Sequence, residues 1–250
     1  MSSTPPKLAF GVEPSTRRFR LRLSRYQALA ETIAAWVRAH PGGNGGSAGR
    51  SFDLLDVGVG NGRTRRYLES HPEAERVRLT GVDLSERRLA AVWGREAWSL
   101  ARCDAERGLP FVPESFDLIV CEQVLEHLER PERLLAEMAR VARPGALLVA
   151  GVPTFPPGVH LVRRTLVPFA DRLRGVRRGH AQVFTLGSFS RLIESTGQFR
   201  VRGARGFRIV SGGPTAPLED LEAWWRLNRW VGERLPWLCT EVQVVAERVA

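Results

Sequence analysis

Short apolar runs alternate with amphipathic stretches along most of this 250-residue chain, and the two periods mark out its elements. The run "FDLLDV" (52–57) is too short and too uniformly apolar for a surface helix, and glycines flank it. It predicts a fully buried, parallel strand. "RVRLTGVDLS" predicts a second strand ending near Asp83, "WSLARCD" a short third, "SFDLIVCE" (115–122) a central fourth and "ALLVAGVP" a fifth. Between them helices are predicted over Thr64–Ser70, over "ERRLAAVWGREA" and over "ERPERLLAEMARVARPG", the last stopped by Pro144 and Gly145. Strand and helix alternate at the interval of βαβ units from about 50 to 153, which predicts an α/β fold with a doubly wound, parallel sheet. Ahead of this core, "RYQALAETIAAWVRAH" sets Tyr26, Leu29, Ile33, Trp36 and Val37 at helical spacing, and "PGGNGGSAGR" (41–50) reads as a flexible linker.

After Pro153 the pattern loosens into prolines, arginines and aromatics. "TLGSFSRLIESTG" then predicts a helix capped by Thr185 or Ser188. "QFRVRGARGFRIV" and the C-terminal "TEVQVVAERV" predict two more strands, with a Trp-rich amphipathic helix over "PLEDLEAWWRLNRWVGERLPWL" between them. Trp224, Trp225, Trp230 and Trp237 are expected to pack against the domain rather than to form a lipid or aromatic-substrate wall.

Composition changes this picture little. The 43% hydrophobic and 26% charged content is that of an ordinary globular domain, and no apolar stretch is long enough to cross a membrane. The N-terminus lacks the apolar core of a signal peptide, and Cys103, Cys121 and Cys239 are scattered without ligand spacing, so a cytoplasmic protein with reduced cysteines is expected. The formal net charge is +10, but Lys7 is the single lysine, a skew that a GC-rich coding sequence produces by itself. Even so, "VRR" (162–164) and "DRLRGVRRGH" (171–180) gather guanidiniums that suit a phosphate or carboxylate.

The chemistry begins where the first strand ends. Gly58, Gly60 and Gly62 follow it and a helix follows them, the arrangement of a nucleotide-cofactor site. A dinucleotide fingerprint would carry its third glycine at position 63, where this chain has Arg63. Asp56 stands two residues before the first glycine; an anion there opposes a pyrophosphate and suits a ligand bearing an ammonium and a sulfonium. S-adenosylmethionine (SAM) is therefore favoured over NAD. Asp83, at the end of the second strand, is placed for ribose hydroxyls, and Asp104, after the third, for an adenine amino group. Each acid alone also fits a turn or cap. Three at successive strand ends point together to the carboxyl edge, where open α/β sheets bind ligands.

With "LLDVGVGNG" (54–62), "GVDLS" (81–85), "CDAERGLPF" (103–111), "SFDLIVCEQVLEHL" (115–128) and the "RPG" before the fifth strand, the chain resembles the class I SAM-dependent methyltransferases of the small-molecule branch. The likeness is close over roughly 50–155 and looser over the helix at 185–197. It implies a Rossmann-like, seven-stranded sheet, mostly parallel with an antiparallel last strand, and helices on both faces. It also implies that Asp56, Gly58, Val59, Gly60, Asn61 and Gly62 meet the methionine part of SAM. Asp83 with Leu84 would sit at the ribose, Asp104 and Ala105 at the adenine, and Cys121 and Glu122 under the cofactor. Residues 1–49 are then an arm, helix and linker, 50–250 the methyltransferase domain, 154–184 an active-site cap and 206–239 an insertion before the last strand.

Methyl transfer needs alignment, and a base where the acceptor is a hydroxyl, thiol or protonated amine. His127 in "LEHL" and His180 in "GHAQVFT" are the candidate catalytic residues, each equally open to a structural role. The turns and ligand sets that mark base-methylating and metal-dependent enzymes are not found, and no metal is expected. A small or medium organic acceptor remains, anionic or carrier-bound among the options, with oxygen slightly favoured and nucleic acid disfavoured. The alternatives are a nucleic-acid- or membrane-associated methyltransferase using the arginine surface, and a SAM-binding regulatory module without turnover.

Overall fold

The computed structural model describes residues 20–41, 51–156, 182–209, 218 and 221–249. Seven strands form one sheet: β1 (Phe52–Val57), β2 (Val77–Asp83), β3 (Trp98–Arg102), β4 (Phe116–Glu122), β5 (Ala142–Pro153), β6 (Phe199–Phe207) and β7 (Glu241–Arg248), in the order β3-β2-β1-β4-β5-β7-β6. The first five run parallel, and β7 lies antiparallel between β5 and β6, as expected. The chain winds outward in both directions from the β1–β4 pair, so a crevice opens at the carboxyl ends of those two strands.

Strand alternation divides the core in two. Leu54, Leu118, Val120, Leu147 and Val149 face one side, where they pack with Leu29, Ile33 and Val37 of α1 (Arg20–Ala39) and with Tyr67 and Leu68 of α2 (Arg63–Leu68). Leu55, Ile119, Cys121, Leu148 and Val244 face the other, against α4 (Pro131–Val141) and α5 (Leu186–Glu194). Thr185 caps α5: its hydroxyl accepts from the Ser188 N–H while the Ser188 hydroxyl accepts from the Thr185 N–H, so both expected caps act at once. Replacing Thr185 with Ala should lower the unfolding free energy by about 1 kcal/mol; an unchanged denaturation midpoint would show the cap to be dispensable.

Three boundaries differ from the sequence expectation. The helix expected over "ERRLAAVWGREA" is only α3 (Glu86–Ala90), because the Trp93 N–H donates to the Asn61 carbonyl at 2.9 Å and Gly94 turns back with φ +60°. Helix α4 ends at Val141, before Pro144, and Ala142–Gly145 already belongs to β5. There Arg143 extends to Asp117 at 2.6 Å and to Asp53, which Arg78 grips with two hydrogen bonds of 2.8 Å, clamping the amino edge of the sheet. The Trp-rich helix is α6 (Glu222–Arg234), shorter at both ends and followed by a 3₁₀ turn over Pro236–Leu238. Of its tryptophans only Trp225 is buried; Trp230 and Trp237 are exposed, so the packing expectation holds for part of the stripe. The segment expected as a cap lies, from 157 to 181, outside the described residues, as does 42–50 of the linker.

Candidate active site

The turn after β1 is held from both sides. Gly58 and Val59 N–H groups donate to the Val82 carbonyl at 2.8 and 3.0 Å, which ties the turn to β2. Gly62 has φ +76°, and a Cβ there would lie 2.9 Å from the Trp93 nitrogen. A Cβ on Gly58 would meet Val124 Cγ2 at 2.3 Å. These two glycines therefore admit neighbouring protein segments. Gly60, with φ +56°, is the least hindered of the three, since a Cβ there would meet only the Gly58 oxygen at 3.8 Å, and it is where a ligand can approach the main chain. Val59 is buried in the core, and Asn61 is exposed, its carbonyl holding Trp93.

Asp83 ends β2 nearly buried. One carboxylate oxygen accepts from the Gly60 N–H at 3.1 Å and the other from the Ser85 N–H at 2.8 Å, with Arg88 3.8 Å away. It thus aims the glycine turn, and each oxygen keeps a second lone pair for a ligand hydroxyl. Leu84 beside it is exposed. Asp56 is buried; burial, partly offset by a hydrogen bond from Thr64, pushes its carboxyl up to about 7, with Asp83 adding to the rise. Asp104 is more peripheral: it accepts from the Glu106 N–H at 3.2 Å and pairs with Arg107 at 3.1 Å, the turn role open to it from sequence. Ala105 packs partly buried on the core. The residues present suit SAM: main-chain approach at Gly60, acids at the ends of β1 and β2, and a sheet crevice beneath.

At the carboxyl end of β4 the sheet face toward α1 carries an acidic cluster. Glu122 lies across Gly151 of β5, where a Cβ would meet its Oε1 at 2.5 Å. Gln243 Nε2 of β7 donates to that oxygen at 2.9 Å, and Arg25 of α1 stands 3.5 Å from Oε2. Arg25 also bonds Glu241, which Arg208 holds from the other side at 2.9 Å. Glu126 follows on the 3₁₀ turn Leu125–His127, 1% exposed, and no side chain among the described residues donates a hydrogen bond to its carboxylate. Burial pushes Glu122 up to about 8, Arg25 opposing and Glu241 reinforcing the rise. Burial likewise pushes Glu126 up to about 7, against a hydrogen bond from its own main-chain N–H and the pull of His127 and Arg25. Cys121, also buried, has its thiol raised by desolvation and by these acids. It is a core residue.

His127 points outward, its side chain 48% exposed, with Nε2 3.8 Å from Glu126. His180 lies outside the described residues, with the arginines of 162–164 and 171–180. Among the described residues no cluster of His, Cys, Asp and Glu has a geometry for a metal, and no helix is long and apolar enough to cross a membrane. Arg25, Glu126, Glu241 and Gln243 were not singled out by sequence reasoning. One signal was available: Glu241 and Gln243 alternate with Val242 and Val244 in "EVQVV", two polar side chains on one face of a central strand.

Residues 55–150 match the family model described as "Methyltransferase domain", a span that starts within β1 and ends within β5. Over that span the chain resembles the methyltransferase domain family. A methyltransferase of uncharacterised specificity from Mycolicibacterium vanbaalenii is 35% identical over 127 residues, 50% of this chain and 48% of that protein. A phosphatidylethanolamine N-methyltransferase from Cereibacter sphaeroides is 32% identical over 144 residues, 55% of this chain and 66% of that protein. The chain thus spans about half to two thirds of the length of these curated relatives. Among solved structures, a Haemonchus contortus phosphoethanolamine N-methyltransferase in complex with SAM shares the fold, with a TM-score of 0.55 at 16% identity over 88% of this chain and 53% of that one. Asp56, Asp83, Glu122 and Glu126 lie within the matched span, while Arg25, Glu241 and Gln243 come from outside it.

Proposed function

We propose that this chain transfers the methyl group of SAM to a small or medium organic acceptor. The observation that carries the reading is the Asp83–Gly60 hydrogen bond, which ties an acid to the open glycine turn at the carboxyl ends of β1 and β2. When bound, SAM supplies a methyl carbon already activated by its sulfonium, and the departing thioether is neutral and needs no acid. The work left to the protein is alignment: Gly60 for main-chain approach, Asp83 for the ribose hydroxyls, and Asp56 with the acids beyond it as a field favouring a cation.

Titrating S-adenosylhomocysteine calorimetrically into the wild type and Asp83→Ala tests this. Binding by the wild type, weakened about tenfold or more in the variant, is the expected result, since one charged hydrogen bond is worth at least ~1.5 kcal/mol. Asp83→Asn, which keeps the size of the side chain, controls for loss of the turn itself. Failure of well-folded wild type to bind would overturn the reading.

A further inference from the structure

We propose that the methyl acceptor is an amine, arriving as an ammonium ion at the carboxyl end of β4, where Glu126, with Glu122 beside it, holds the nitrogen and takes its proton. The proposal rests on the methyl-transfer reading and names the substrate class of that same site.

The cluster is short of positive charge. Asp56, Glu122, Glu126 and Glu241 interact there with one another, and Arg25 and Arg208 are the guanidiniums that pair with them in the described residues. Both arginines converge on Glu241. Glu126 is left with a buried carboxylate and no side-chain hydrogen-bond donor among the described residues, and Glu122 Oε2 has Arg25 Nε at 3.5 Å but no hydrogen bond. Buried acceptors without donors are rare in native proteins, and each one calls for a partner. The two Glu126 oxygens and the weakly held Glu122 Oε2 match a group that brings several N–H donors and a positive charge. A neutral hydroxyl brings one donor and no charge, and an anionic acceptor would add a further negative charge. The site is also built: Gly151 lacks a Cβ where the Glu122 carboxylate lies, and Gln243 fixes one of its oxygens while Arg25 stands 3.5 Å from the other.

The chemistry balances. The ammonium gives one proton to the Glu126 carboxylate, and the freed nitrogen lone pair forms the new N–C bond to the SAM methyl carbon. The C–S bond breaks with its electron pair retained by sulfur, leaving S-adenosylhomocysteine, a methylated ammonium and a proton on Glu126 that passes to solvent. The groups that face Glu126 are Arg25 from α1, Glu241 from β7, Cys121 on β4 and His127 beside it. Burial places its carboxyl in the range where it can hold and release that proton near neutrality.

The cation could also be the ammonium of the co-substrate itself, so the experiment separates the two sources. Wild type and Glu126→Gln are given SAM with ethanolamine or 2-phenylethylamine, each beside its hydroxyl counterpart, ethylene glycol or 2-phenylethanol. S-adenosylhomocysteine formation is followed from pH 6 to 9, and S-adenosylhomocysteine affinity is measured in parallel. Amine turnover should exceed that of the matched alcohol by about tenfold or more and fall about tenfold or more in Glu126→Gln, with S-adenosylhomocysteine affinity within a few-fold of wild type. The rate-limiting ionisation near pH 7 should disappear in the variant. Because the substitution removes a buried charge without changing size, the variant should also melt no lower than wild type at pH 8. Alcohols preferred, no amine turned over by protein that binds S-adenosylhomocysteine, or a variant that loses S-adenosylhomocysteine affinity while keeping its amine turnover would each overturn the proposal. Protein that binds no S-adenosylhomocysteine at all would instead remove the methyl-transfer reading beneath it.

Discussion

The unfolding free energy of the ligand-free protein should fall as pH rises from 5 to 8. Three buried carboxyls set the sign. Asp56, Glu122 and Glu126 titrate near 7, 8 and 7 in the folded protein, raised chiefly by burial, against about 4 in the unfolded chain. Between these limits the folded state binds more protons than the unfolded one, so stability decreases with pH. Below about pH 4 both states are protonated and the effect vanishes; above about pH 8 both are ionised and the loss is complete. Each independent group contributes about 1.4 kcal/mol per pH unit inside its window. Three acting independently would remove on the order of 10 kcal/mol, comparable to the whole stability of a domain. They do not act independently, because Glu241 and Asp56 raise Glu122 and Asp83 raises Asp56, so ionising one acid of the group keeps its neighbour neutral to higher pH. A loss of roughly 3–5 kcal/mol between pH 5 and 8 is the expected outcome, read from urea denaturation at each pH. Glu122→Gln should flatten the slope. A wild-type stability that stays level or climbs over this range would mean that the three carboxylates are ionised and compensated.

Alanine at Gly62 and at Gly60 should separate folding from binding. At Gly62 the left-handed φ of +76° costs about 1–2 kcal/mol for any residue with a Cβ. The added methyl also lies 2.9 Å from the Trp93 nitrogen and 3.0 Å from its carbonyl oxygen, main-chain atoms that cannot swing aside. Overpacking of this kind adds about 1–3 kcal/mol, so Gly62→Ala should lose about 3 kcal/mol in stability. At Gly60 only the backbone term applies, since the nearest atom to a Cβ is the Gly58 oxygen at 3.8 Å. Gly60→Ala should therefore lose about 1–2 kcal/mol in stability. Its methyl, however, stands where the ligand meets the main chain, and S-adenosylhomocysteine binding should weaken about tenfold or more. Equal destabilisation by the two variants, or unchanged binding by Gly60→Ala, would contradict the division of roles among the glycines.

Much of the fold was legible because its signals are local. A strand buried on both faces must be apolar at nearly every position, so β1, β4 and β5 stood out, and the glycines and Asp83 sit next to the strand ends that place them. The amphipathic faces of α1, α4 and α5 were readable for the same reason. Boundaries failed where a distant partner intervened: α3 stops because Trp93 is drawn to Asn61, and α4 stops because Arg143 is drawn to Asp117 and Asp53. The two histidines attracted attention through their chemistry and the family resemblance, yet His127 faces outward beside the acid that is buried, and His180 lies outside the described residues.

The sequence by itself determined the parallel core, the turn that receives a ligand and the acids at the ends of β1 and β2, since each follows from residues adjacent along the chain. Only the tertiary structure decided that Arg25 would meet Glu241 across 216 positions, that Glu122 would lie over Gly151 and be held by Gln243, and that Glu126 would be buried without a side-chain donor. The physical reason is that a carboxylate's environment is set by what packs against it. Sheet order and the path of α1 bring together charges that no local pattern connects.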